Sequence, residues 1–240
     1  MNPPTVSRHE SQLAQESMPA MEKQATRARG LPPERRRKTM RVTLFALLLA
    51  SGAAAAAPLH FTIDPDHTYP SFAADHLGLS TWRGKFNHTN GTITLDRQKR
   101  TGTVHIVTKI DSINFGNPPL KQAVLKAVFP PPLCKTQCTF FDAAKYPTAV
   151  YDGTLADFTG GAPTRVVGKL AMHGVTRPLV LKIEHFKCIP DFVVKPRERC
   201  GAEASATLNR ADFGIDAGQS FGMDMRVDLQ IQIEAVQDKS

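Results

Sequence analysis

The sequence predicts an all-β fold, an antiparallel sandwich or barrel, on three observations. Short segments alternate apolar and polar residues, Gly, Pro, Asn and Asp punctuate them, and helical periodicity is confined to one segment and one further turn. The alternation is cleanest in MDMRVDLQIQIEA, residues 223–235. Successive strand side chains point to opposite faces, so Met223, Met225, Val227, Leu229, Ile231, Ile233 and Ala235 share one side. Asp224, Arg226, Asp228, Gln230, Gln232 and Glu234 take the other. At ~3.3 Å per residue such a run reaches about 40 Å, roughly twice a usual strand. One apolar face on a strand that long suits a large sandwich or a barrel whose interior is a cavity.

The other elements follow in chain order. LHFTID (59–64) alternates, SFAADH (71–76) puts Phe72, Ala74 and His76 on one side, and WRGKF (82–86) puts Trp82 with Phe86. GTITLD (91–96) pairs Ile93 with Leu95, and TGTVHIVTKI (101–110) aligns Val104, Ile106 and Ile110. In NPPLKQAVLKAVF the apolar Leu120, Val124, Leu125 and Val128 recur at helical spacing after Pro118 and Pro119, which predicts one short helix. TAVYDGTLADF, TRVVGKLAM and PLVLKIEHF read as further strands, and NRADFG (209–214) as a second helical turn. NHTNG and TGGAP are turns.

Upstream, MRVTLFALLLASGAAAAAP from Met40 has a basic start, a short apolar run and a small-residue end, the layout of a secretory signal peptide. A membrane helix needs ~20 apolar residues, so removal near Ala56 or Ala57 is expected rather than anchoring. The expected organisation is an extension over 1–39, a signal peptide over 40–57 and one β domain over 58–240. The extension, with its RRRK run, reads either as disordered chain ahead of a true start at Met40 or as a long basic prefix of the signal.

Charge follows the same division. Residues 1–57 hold nine Lys/Arg and four acids, whereas the rest hold 21 and 18, so the basic balance belongs mostly to the leader. A nucleic-acid surface would need a basic stripe on the folded part, and none is expected. All four cysteines, Cys134, Cys138, Cys188 and Cys200, fall in the exported part, where disulfides are expected. Three pairings are open, and nearness in sequence favours Cys134 with Cys138 and Cys188 with Cys200.

Catalytic signals are thin. GLSTW (78–82) lacks the closing glycine of a nucleophile elbow, and the eight histidines are dispersed without HExxH or HxH spacing, so no metal site and no catalytic residue is expected. His76 stands apart because its parity with Phe72 and Ala74 points it inward. It reads either as a polar contact to a ligand head group or as a core histidine bonded to a neighbour.

Several ordered blocks resemble the YceI-like family of exported bacterial proteins: IDPDHTYPSFAADHLGLSTWRGKF, NGTITLD, KIDSINFG, FFDAAKYPTAVYDG, VVGKLAMHGVTRPLVLKI and LNRADFGI, spread over residues 59–236. The resemblance implies an extended antiparallel, lipocalin-like β-barrel with one or two short helices. It implies an apolar channel for a polyisoprenoid, a prenylquinone-type lipid or another long-chain amphiphile, with no other cofactor, and a periplasmic location. The expected channel lining is Phe72, Ala74, His76, Trp82, Phe86, Ile106, Leu170, Met172, Met223, Met225, Val227, Leu229 and Ile231. A lipid carrier is the first reading. An accessory presenting a quinone to a membrane b-type cytochrome and an enzyme acting on the bound lipid are alternatives, and a homodimer is left open. Two stretches depart from the family pattern, LKAVFPPPLCKTQCT and FKCIPDFVVKPRERCGAEA.

Overall fold

Inward alternation closes the strands between Leu59 and Gln237 into a ring. The computed structural model describes residues 57–131, 134 and 138–239. The expected extension and, except for Ala57, the expected signal peptide lie outside them. In chain order the strands are β1 (Leu59–Ile63), β2 (Tyr69–His76), β3 (Ser80–Phe86), β4 (Thr89–Asp96), β5 (Thr101–Lys109), β6 (Ile113–Asn114), β7 (Val128–Phe129), β8 (Cys138–Thr139), β9 (Thr148–Thr159), β10 (Ala162–Met172), β11 (Val175–Pro190), β12 (Glu198–Asn209) and β13 (Arg226–Gln237). One α-helix, α1 (Pro118–Lys126), joins them, with short 3-10 turns.

Strands β1, β4, β5, β9, β10, β11, β12 and β13 pair in that order, all antiparallel, and β13 returns to β1 through Phe61–Gln237 and Ile63–Ala235. Closure removes the unpaired edges that an open sheet would expose. The first three staves are bent. β2 continues β1 along β13, β3 runs into β4, and β6 follows β5 to pair with β3. The first bend is a 3-10 turn, Pro65–His67, where the Asp64 carboxylate accepts from the Asp66 amide at 3.0 Å.

The antiparallel register sorts the connections onto two ends. The 77–79 and 173–174 turns, the 210–225 segment and the α1 excursion share one end. The 97–100 and 160–161 turns and the 191–197 loop share the other. Helix α1 begins as its sequence predicts, with the Asn117 side chain accepting from the Leu120 amide at 3.0 Å and prolines in the first turn. It buries Val124 and Leu125 with Ile110 and Ile113, and Phe72, Phe86, Phe115, Phe140 and Phe141 pack against them, plugging that end. The second predicted helical turn is a 3-10 turn, Arg210–Phe213.

The disulfides are Cys134–Cys138 and Cys188–Cys200. Two boundaries differ from the sequence expectation. The last strand starts at Arg226 rather than Met223 and runs on to Gln237, because the chain ahead of it is held by a loop: the Arg210 amide donates to the Met225 carbonyl and the Met223 amide to that of Gly218. Much of the segment expected as one long excursion is strand, leaving only 191–197 as loop between β11 and β12.

Candidate functional site

The inner faces of the ring do not meet. They enclose a cavity of about 270 Å³ that reaches from Leu95 and Ala235 near one end to Phe140 and Ile215 near the other. Small inward residues on β12, Ala202 and Ala204, leave the space, while Phe61, Phe72, Phe86, Leu155, Leu179 and Leu181 supply apolar wall. An enclosure lined this way favours apolar guests by removing their surface from water.

The carboxylates, hydroxyls and guanidinium on the wall are committed to the protein. Thr68, fully buried, donates through its hydroxyl to the Glu234 carbonyl at 3.3 Å and accepts from the Glu234 amide at 3.1 Å. The hydroxyls of Thr89 and Thr108 meet at 3.3 Å. The Asp75 carboxylate accepts from the amides of Gly78 and Asp224, and that of Glu234 lies 3.3 Å from Arg199 Nη1. The Tyr151 hydroxyl lies 3.0 Å from the Leu179 carbonyl and 3.2 Å from that of Val166, its ring fitted over Gly168 and Gly153. Burial pushes the Tyr151 phenol up to about 12, so it stays neutral.

Arg210, 6% exposed, is the buried cation among the described residues. Its Nη1 and Nη2 each donate at 2.8 Å, to the carbonyls of Ile215 and Ala217, and the guanidinium lies 5.4 Å from the centre of the Phe140 ring. Burial lowers the Arg210 pKa, while the charges of Asp216, Asp224 and Asp75 act the other way. With both carbonyls satisfied, Arg210 staples the 210–225 segment over the helix-bearing end.

A family model described as the YceI-like domain matches residues 61–235. The chain belongs to the YceI-like family. A UPF0312 protein of Pseudomonas savastanoi pv. phaseolicola is 29% identical over 204 residues, covering 82% of this chain and 96% of its own. Among solved structures, the Campylobacter jejuni YCEI protein superposes with a TM-score of 0.53 at 20% identity, over 69% of this chain and 90% of that one. BcnA of Burkholderia cenocepacia does so at 0.52 and 15% identity, over 72% and 98%. At such identities the likeness is one of fold, and the all-β lipocalin-like barrel expected from the resemblance is the fold observed.

Within this YceI-like barrel, Phe72, Ala74, Trp82, Phe86, Ile106, Leu170, Met172, Met223, Val227, Leu229 and Ile231 lie on the cavity wall. His76 and Met225 do not. The His76 ring stacks on Trp82, with 4.1 Å between centroids and 17° between planes, at the strand end rather than inside. Met225 is buried at 5% exposure but stands just ahead of β13, off the wall. The sequence reading missed Tyr151, Arg210, Phe140 and Phe141. The first alternates correctly within TAVYDGTLADF and was legible in principle, whereas the others lie outside the strands, Arg210 in a 3-10 turn and the two phenylalanines in irregular chain, where alternation says nothing.

Two groups of metal-ligating type occur among the described residues. Cys188, Glu198 and Cys200 converge, but the two sulfurs are bonded to each other. Asp64, His67 and Glu234 converge where Arg199 Nη1 already lies 2.6 Å from Asp64 and 3.3 Å from Glu234.

Proposed function

We propose that the protein binds and carries a long apolar lipid, a polyisoprenoid or similar amphiphile, in the barrel cavity without transforming it. One observation carries this reading: the wall is apolar along the barrel, and its carboxylates, hydroxyls and guanidinium already have protein partners. Such a wall selects its guest by apolar character and shape. Each enclosed CH₂ contributes roughly 0.8 kcal/mol before ordering costs, so burial alone retains a long chain. The YceI-like resemblance supports a polyisoprenoid, and family membership favours a binding protein over an enzyme. Both disulfides support export to an oxidising compartment, with the leader removed near Ala57.

The test is organic extraction of the purified exported protein followed by mass spectrometry of the organic phase. A stoichiometric long-chain lipid is expected. An empty organic phase, together with failure of the delipidated protein to take up any isoprenoid, would defeat the reading.

A further inference from the structure

The loop between β11 and β12 presents apolar side chains that neither the core nor the cavity uses. Phe192 is 72% exposed, Val193 71%, and Ile189 at the end of β11 38%. Scattered apolar residues on a surface need no explanation, but Phe192 and Val193 are adjacent at the loop tip, with Ile189 close before them in β11. The loop is also held firmly. Asp191 is fully buried, and its Oδ1 accepts from the amides of Val193 at 2.7 Å and Val194 at 2.8 Å. Backbone bonds from Asp191 to Arg197 and from Arg197 to Val194 close the turn, and Arg199 Nε stands 3.3 Å from Asp191 Oδ2. The Cys188–Cys200 bond ties the root. A buried carboxylate, an arginine and a disulfide therefore hold Phe192 and Val193 out in water.

Cations surround this tip. Lys187 and Lys195 flank it, and the β4–β5 turn, RQKR, reaches across the barrel end, where Arg97 Nη2 donates to Glu198 Oε2 at 2.9 Å. The nearest carboxylates are occupied: Asp191 by Arg199, Glu198 by Arg97, and Asp96 by Lys99 at 3.5 Å. Among the described residues no ion pair engages Lys187, Lys195 or Arg100. Of the other acids of this end, exposed Asp157 pairs with Arg165 at 2.7 Å, exposed Asp66 follows β1, and half-buried Asp238 accepts from the Thr62 hydroxyl while its amide donates to the His60 carbonyl. The loop thus carries an apolar tip inside a cationic collar.

We propose that this end of the barrel docks on an anionic lipid bilayer, with Phe192 and Val193 entering the acyl boundary and Lys187, Lys195 and Arg100 meeting headgroup phosphates. Apolar insertion combined with attraction to anionic lipid is the usual means of peripheral attachment. A second copy of the chain fits less well, because pairing two such tips would bring their collars of like charge together. Docking here sets the cavity end on the membrane, since Cys200 of the cavity wall is bonded at the root of the loop.

Flotation of the exported protein with phosphatidylcholine vesicles, with and without phosphatidylglycerol, tests the proposal. Wild type should bind the anionic vesicles and lose binding as salt rises. Phe192→Ser with Val193→Ser, and separately Lys187→Glu with Lys195→Glu, should each weaken binding by at least roughly tenfold. Both pairs lie on the surface, and unchanged melting temperatures check the fold. In a Phe192→Trp variant, brominated lipid should quench the new indole, whereas wild-type Trp82, at the opposite end, should be spared. Equal vesicle binding by wild type and the serine variant would overturn the proposal. So would a dimer of wild type, seen by sedimentation, that the serine variant loses. Organic extraction of the same variants reports the cavity guest independently, so failure of docking and failure of the carrier reading are separable.

Discussion

Leu229→Asp places a charge where the cavity wall is apolar. Leu229 is half-buried on β13, opposite Phe72 on β2 and Ala206 on β12, with Val227 and Ile231 beside it on the same face. Full burial of a leucine is worth about 1.5–3 kcal/mol, so a half-buried one forfeits about 1–2 kcal/mol when replaced by a polar group. The carboxylate adds a second cost, because none of these four neighbours offers a side-chain donor and an unpaired buried charge raises its own pKa. A rise of ~2 units over the ordinary aspartate value corresponds to about 2.7 kcal/mol. The expected loss at neutral pH is therefore roughly 3–5 kcal/mol.

The pH dependence has a definite sign. An acid whose folded-state pKa is raised binds more protons when folded than when unfolded between the two values, so stability falls as pH rises. The second cost should be absent below about pH 4 and complete above about pH 6, while Leu229→Asn should keep only the first cost at every pH. Thermal melts of both variants across this range, with mass spectrometry of extracted lipid, supply the measurement. Retained lipid, a wild-type melting temperature and a flat pH profile for Leu229→Asp would refute the assignment of this face to the cavity.

Tyr151→Phe should cost about 1 kcal/mol for the lost carbonyl hydrogen bond, with the melting gap constant from about pH 5 to 9 because the phenol titrates only near 12. Gly168→Ala should be worse than its size implies: the new Cβ would stand 2.6 Å from the Tyr151 hydroxyl and 2.7 Å from Cζ, and overpacking of this kind costs about 1–3 kcal/mol by denaturant titration. Asp191→Asn should speed hydrogen exchange at the Val193 and Val194 amides. Amide bonds, that from Val194 foremost, hold the Asp191 pKa below 3.8; its stabilisation is thus present above that value, and the melting gap to wild type should close as pH falls through the lowered pKa. His76→Ala should cost about 0.5–1.5 kcal/mol of stability, read by denaturant titration, through the lost stack on Trp82 and leave the extracted lipid unchanged; an altered lipid would return His76 to the site.

Legibility in the sequence followed local pattern. Strands β1 to β5, β9 to β11 and β13 alternate or carry β-branched residues, helix α1 has its prolines and its spacing, and the cysteines pair with their nearest neighbours. Strand β12, ERCGAEASATLN, went unread because alanine and glycine are poor strand formers and give weak apolar contrast. Those same residues are small because they face the cavity, so the feature that hid the strand is the one that makes room for a guest. Met225 and His76 fail for a related reason. Parity carries no limit on depth or extent: Met225 lies ahead of β13, its carbonyl taken by the Arg210 amide, and His76 is the last residue of β2, stacked on Trp82 at the mouth rather than on the wall.

Alternation states which way a side chain points and is silent on what it meets. A filled barrel and a hollow one share the same binary pattern, since both need apolar residues inward and polar ones outward. What separates them is volume around the ring, a sum over strands distant in sequence. Here Gly153 and Gly168 make space that Tyr151 fills, whereas Ala202 and Ala204 make space that nothing in the described chain occupies. The difference lies in reach. Tyr151 stands on β9 beside β10 and lies over the glycines of both strands, while on β12 Ala204 pairs with Ile183 and Ile231 and Ala202 with Phe186 and Ile233, all of them on the wall. The two glycines are therefore core because a tyrosine lies over them, whereas the branched aliphatics on either side of Ala204 leave the space in front of it as cavity. A large side chain at Ala204 would turn the second case into the first, filling the channel from within, and the carrier reading requires that the lipid then be excluded while the barrel stays folded.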